Sequence, residues 1–278
     1  PGMEWCSGGN AWLLERARAA GLDPRDFYGE KAARLYTPFE RCYVACFRGK
    51  LAAATRALDD DGDAGARALL ATGAEKSGWT PLRYACFTGR ADLCEELISR
   101  GAKVNLPIRK PCQYSGTLAT QNILHTTCWA VDCPDVARLL IKHGVDPWAP
   151  SPSLQTGDTP AVIAGICKQF DTLEMLANEV SPEVLTRPAP SGKTLTMMMG
   201  YGGPRLIEFM LSDKYREDVL RQVAGKGKSD SLMGFSWCST AAQGHEDGLR
   251  MLLDAGVDPE TFHPKQVKGP FKIIRFIS

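Results

Sequence analysis

Gly192-Lys193-Thr194 has the most chemical promise in this chain, because it reads as the tail of a phosphate-binding loop. A complete loop runs G-x-x-x-x-G-K-[ST], where two glycines let backbone N–H groups wrap a phosphate and the lysine meets its charge. Five positions before Gly192 stands Arg187 rather than glycine, and Pro188 and Pro190 remove two donors from any cradle. An acidic run, Asp59-Asp60-Asp61-Gly62-Asp63, places Asp59, Asp61 and Gly62 at positions three, five and six of a calcium loop. Its first and twelfth positions are Ala57 and Ala68, so the bidentate acid is missing and the run reads as a solvated acidic loop. His125 with Cys128 and Cys133 makes a corner of a metal site, but no fourth ligand has suitable spacing. Met197-Met198-Met199 reads as core filling. The expectation is therefore no catalytic residue, no bound metal and no cofactor.

The same tripeptide has siblings, and they show what it is for. Ser77-Gly78-Trp79-Thr80, Thr156-Gly157-Asp158-Thr159 and Ser191-Gly192-Lys193-Thr194 share one pattern. A second set pairs Ala45-Cys46-Phe47-Arg48-Gly49 with Ala85-Cys86-Phe87-Thr88-Gly89. A third comprises Gly21-Leu22-Asp23-Pro24, Gly144-Val145-Asp146-Pro147 and Gly256-Val257-Asp258-Pro259. Repetition on this scale is the mark of a stacked array, in which each unit buries its apolar face only against copies of itself. After Thr80, Pro81 suits the first turn of a helix; Leu82, Ala85 and Cys86 then share one face until Gly89 stops it. A second helix carries Leu93, Cys94, Leu97 and Ile98 and ends at Gly101.

Residues Gly78 to Asn105, G-W-T-P-L-R-Y-A-C-F-T-G-R-A-D-L-C-E-E-L-I-S-R-G-A-K-V-N, resemble one complete ankyrin repeat. The stretch has the G-x-T-P-L opening, the mid-repeat glycine, the Leu-Ile pair and the closing G-A-x-V-N. Arg83 departs from the pattern, standing where the family usually has a histidine that braces the turn, which implies a less stiff hairpin. Weaker copies flank it. One opens at Thr37-Pro38 and closes at Leu69-Leu70 after an extra segment of about a dozen residues. Another spans Ile123 to Trp148, with a first helix near His125 to Ala130 displaced by a residue or two. Further copies begin at Gly157 and Gly192, and the last closes with Gln243-Gly244-His245 and Met251 to Asp258.

The resemblance implies an all-α, ankyrin-repeat solenoid of stacked helix-turn-helix pairs joined by hairpin-like turns, with about six repeats plus caps. Residues 1–36 read as an N-terminal capping helix (Ala11 to Ala20, capped by Asn10) with a linker, 37–260 as the repeat domain, and 261–278 as an apolar tail containing Phe271, Ile273, Ile274, Phe276 and Ile277. Residues 106–121 read as an inserted loop, a type of element that more often makes contacts than catalyses.

A net charge of +1 with both signs interspersed argues against a nucleic-acid partner, and no apolar run is long enough for a membrane span. Ten cysteines scattered through apolar helices read as reduced buried thiols. They point to the cytoplasm or another reducing compartment, an organelle interior included if the Pro1 start marks a trimmed targeting peptide. The function expected is a non-catalytic scaffold or adaptor that binds another protein, the chain being monomeric alone or part of a larger assembly. Alternatives are a permanently assembled subunit, or a ligand-binding or enzymatic protein with a pocket under the 106–121 loop.

The resemblance implies that contacting side chains flank the turn glycine and follow the paired small residues of the first helix. In the complete repeat these are Lys76, Ser77, Trp79, Phe87 and Thr88. In the next clear copy they are Gln155, Thr156, Asp158, Ile166 and Cys167, and in the following one Pro190, Ser191, Lys193 and Tyr201. Trp79, a large aromatic at a turn tip, is the foremost candidate.

Overall fold

The structure, a computed structural model, describes residues 15, 18–22, 34–60, 62–71, 79–106, 122–151, 158–189, 194–223, 240–241 and 243–256. All regular structure among them is helical. The chain divides into two compact units, Pro1–Asp146 and Pro147–Ser278.

In the first unit, α1 (Pro38–Phe47) is followed by α2 (Leu51–Asp59), α3 (Gly62–Ala71), α4 (Pro81–Phe87), α5 (Ala91–Ser99), α6 (Ile123–Ala130) and α7 (Pro134–Lys142). Each start has a chemical cause. Thr37 and Glu40 form a reciprocal capping box: the Thr37 hydroxyl accepts from the Glu40 N–H at 3.3 Å, and the Glu40 carboxylate accepts from the Thr37 N–H at 2.7 Å. The Thr80 hydroxyl accepts from the Arg83 N–H at 3.2 Å, with Pro81 occupying the donor-free first position. Asn122 takes that role for α6, its side-chain carbonyl accepting from the Leu124 N–H at 2.7 Å. Counted from their caps, His125 and Cys128 occupy the places of Arg83 and Cys86, so the displacement expected for this copy does not occur. An Asn cap simply replaces Thr-Pro.

The helices form two layers. First helices α1, α4 and α6 stack in sequence, and second helices α2, α5 and α7 stack behind them. Small buried residues on the first helices, Ala45, Cys46, Ala85 and Cys86, let these backbones approach; Leu93, Leu97, Val136 and Leu140 fill the layer behind. The second-layer place in the opening copy belongs to α2, not to the Leu69-Leu70 stretch. The dozen extra residues fold into the additional helix α3, where Leu70 is buried. Asp59 and Asp60, expected in a solvated loop, end α2 and meet cations instead: Asp59 accepts from Arg100 at 2.5 Å and Asp60 from Arg41 at 3.1 Å.

Four of the turns inside helix pairs repeat one hydrogen bond. Lys50 N–H closes on Ala45 C=O, Arg90 on Ala85, Gln169 on Ala164 and His245 on Thr240. That geometry needs a positive φ at the residue before the donor, supplied by Gly49 (62°), Gly89 (68°) and Gly244 (69°), but by Lys168 (64°) in the second unit.

The second unit contains α8 (Pro160–Ile166), α9 (Phe170–Met175, continued by a π turn at Leu176–Val180), a 3-10 turn at Pro182–Leu185, α10 (Met199–Gly202, preceded by the 3-10 turn Thr196–Met198), α11 (Pro204–Met210), α12 (Arg216–Val223) and α13 (Glu246–Asp254). Here α8 meets α10 through glycines: a Cβ on Gly202 would lie 2.8 Å from the Gly165 carbonyl oxygen. Arg205 of α11 lies over the Phe170 ring of α9 at 4.8 Å. Among the described residues no helix is long and apolar enough to cross a membrane. The capping segment Ala11–Ala20 is described only in part, and the 107–121 stretch and the 261–278 tail lie outside the described residues.

Candidate functional site

In the first unit the first helices end in large aromatic or apolar residues at matching places. Phe47 ends α1 and Phe87 ends α4, each following an Ala-Cys pair, and Trp129 lies one residue before the end of α6. Phe47 and Phe87 are half-buried, while Trp129 is 58% exposed. Behind them Tyr43 and Tyr84 are fully buried, with their hydroxyls hydrogen-bonded to each other. The rings lock together, three contacts edge to face and the Trp79–Tyr84 contact tilted. Tyr43 meets Tyr84 at 4.4 Å between centroids, Phe47 meets Tyr84 at 5.7 Å, and Trp79 bridges Tyr84 at 4.7 Å and Phe87 at 5.8 Å. Trp79 thus lies along its own first helix, half-buried, rather than standing free at a tip. Two neighbouring helix pairs share one aromatic surface.

The turns beside these rings carry charge. Arg90 reaches from its own turn to the previous one, donating to the Gly49 carbonyl at 2.5 Å, and its guanidinium grips Asp92 at 3.0 and 2.6 Å. Hydrogen bonds from Arg90 lower the Asp92 pKa. The corresponding bond in the next pair comes from Cys133, whose thiol donates to the Gly89 carbonyl at 3.2 Å. In these two pairs the residue just before the second helix satisfies the turn carbonyl of the preceding pair. Gly89 is tightly enclosed: an added Cβ would meet the Val131 methyl at 3.2 Å.

Arg83, expected to soften the turn, does something else. It is 2% exposed and its Nη1 donates to the Thr126 hydroxyl of α6 at 2.7 Å, tying consecutive first helices. Burial pushes its pKa down to about 10, which leaves it a cation at neutral pH.

The thiols offer little reactivity. Cys86 and Cys94 sulfurs lie 3.7 Å apart, and that contact together with burial raises the Cys94 pKa far above the usual thiol range. Burial, then a hydrogen bond with Cys42, does the same to Cys46. Protonated buried thiols are poor nucleophiles and poor metal ligands. Among the described residues no group of three or more His, Cys, Asp or Glu side chains is placed to hold a metal ion; His125 and Cys128 are buried within α6.

The expected contact residues divide into three groups. Trp79 meets Phe87, the last residue of α4, and Thr88 caps that helix with its hydroxyl engaged with the Ala85 carbonyl at 3.0 Å. Ile166 and Cys167 are half-buried at the end of α8, and Tyr201 on α10 is 39% exposed. Asp158 departs from expectation: its side chain is buried, and its backbone carbonyl accepts from the Ser151 N–H at 2.9 Å. Lys76, Ser77, Gln155, Thr156, Pro190, Ser191 and Lys193 lie outside the described residues. Sequence reasoning missed Phe47 and Trp129. Phe47 carried the same Ala-Cys-Phe signal as Phe87, and Trp129 was hidden by the misplaced register of its helix.

A protein built from such helix pairs, with capped first helices and glycine-closed turns, belongs to the class of helical-repeat proteins. Residues 77–108 match the family model described as Ankyrin repeat, so this stretch of the chain is one such repeat. No curated protein matches the sequence. The ankyrin repeat is a general protein–protein interaction module and generally non-enzymatic.

Proposed function

We propose that the protein is a non-catalytic scaffold or adaptor, built as a solenoid of about six ankyrin repeats, that binds a partner protein across the exposed face of its first helices. The observation that carries this reading is the aromatic surface of the first unit: Phe47, Trp79 and Phe87 held rigid over a buried tyrosine pair, with Trp129 at a matching place on the next first helix. Large aromatics fixed before binding lose little entropy on association, which is why they dominate interface energetics. Two layers of stacked helices in the first unit support the solenoid. Seven described cysteines are free thiols, which supports a cytoplasmic or other reducing location.

Trp129 is the better probe of this surface because it is mostly solvent-exposed, whereas Trp79 also holds its own helix. Trp129→Ala should change stability by no more than about 0.5 kcal/mol. In affinity capture by the full chain with quantitative mass spectrometry, it should lower recovery of the specific partner about tenfold or more. Identical capture profiles for the two chains would overturn the reading.

A further inference from the structure

We infer that the partner segment seated on the first unit is an extended acidic peptide with apolar anchors, a proposal that rests on the reading above and adds the chemistry of the ligand. Two independent features point to it. The first is shape. Phe47 and Trp79 contact Tyr84, and Phe87 contacts Trp79, so the three half-buried residues form one continuous apolar ridge. Ridges of this kind seat aliphatic and aromatic side chains.

The second is charge. Immediately beyond the rings in the chain stand Arg48 and Lys50 in the first turn and Arg90 in the second, all three exposed. The carboxylate beside them, Asp92, is engaged by Arg90, and Arg90 also spans to the Gly49 carbonyl, which fixes a cation between the two turns. The apolar ridge therefore has a positive edge. Carboxylates of a partner would be drawn to that edge, while a basic segment would be repelled from it. Cations beside aromatics also occur in single-strand nucleic-acid grooves, but those track the backbone with an extended electropositive groove, which a net charge of +1 does not supply.

The test is to pan a random twelve-residue peptide library on the immobilised full chain and measure the enriched sequences as fluorescein-labelled synthetic peptides by polarisation. The expected winners combine Asp or Glu with Leu, Phe or Trp, and bind more weakly as salt rises. Lys50→Glu should weaken them several-fold while leaving Tm and the helical circular dichroism unchanged, since this side chain is exposed. Basic or uncharged winners, no enrichment, indifference to the charge reversal, or tighter binding of fluorescein-labelled oligo-dT would each overturn the inference. If Trp129→Ala still removes the captured partner while the charge reversal changes nothing, the interaction surface stands and only the ligand chemistry falls.

Discussion

Arg83 Nη1 donates to the Thr126 hydroxyl at 2.7 Å, joining α4 to α6 across 43 residues of chain. A guanidinium only 2% exposed leaves a charged donor unsatisfied if its acceptor is removed, which costs more than losing an ordinary hydrogen bond. Thr126→Val keeps the shape and should lower unfolding free energy by about 2 kcal/mol, read from urea midpoints. In an Arg83→Met background the same change should cost less than about 1 kcal/mol, and equal costs would show that the two residues are not coupled. Arg83 has a folded pKa of about 10, below its unfolded value, so its charged form is disfavoured by folding. That penalty is present in full below about pH 10 and is relieved only as pH rises further. The Thr126→Val deficit should accordingly be flat between about pH 6 and 8.

Lys168 holds φ at 64° where the equivalent residues of other turns are Gly49, Gly89 and Gly244. A side chain in this region costs about 1–2 kcal/mol, and the extra unfolded-state freedom of glycine returns about 0.5–1 kcal/mol. The first effect wins. Lys168→Gly should stabilise the chain by about 0.5–1 kcal/mol; a lower denaturation midpoint would show that the lysine side chain contributes more than its backbone strain costs.

Gly202 has no room for a methyl group. An added Cβ would lie 2.7 Å from the Leu206 Cβ and 2.8 Å from the Gly165 carbonyl oxygen, so α8 and α10 would have to separate. Gly202→Ala should destabilise by about 2 kcal/mol despite the better helix propensity of alanine. Thermal or chemical denaturation checks this, and a neutral result would mean that α8 and α10 can separate at little cost.

Cys167 has its thiol pKa pushed up to about 11 by burial alone. Only the thiolate reacts with iodoacetamide, so its alkylation rate, followed by peptide mass spectrometry, should still rise about tenfold per pH unit near pH 9, where an ordinary cysteine levels off. A plateau near pH 9 would place the thiol in a more polar setting.

The local elements of this protein were legible because their causes are local. Thr80-Pro81 starts a helix, Gly89 turns it, and Leu93 with Leu97 marks the face of the next; each signal acts within a few residues. The same logic failed at Asn122, where an unlooked-for cap restored the register that the missing Thr-Pro had hidden. It also failed at α3, because an acidic stretch ahead of Leu70 carries no local sign that it will start a helix rather than continue a loop. Phe87 could be nominated from sequence, but that Trp79 would lie down on Tyr84 could not. Nor could the inward turn of Asp158, or the reach of Arg83 to Thr126. These are decided by which surfaces meet when helix pairs stack. Contacts made between residues some forty positions apart depend on backbone separation and side-chain volume together, and no periodicity within a single repeat encodes that separation. Sequence alone marked the helix ends that carry a Thr-Pro start or a turn glycine; tertiary structure decided which side chains the stacked helices hide, tie together or leave on show.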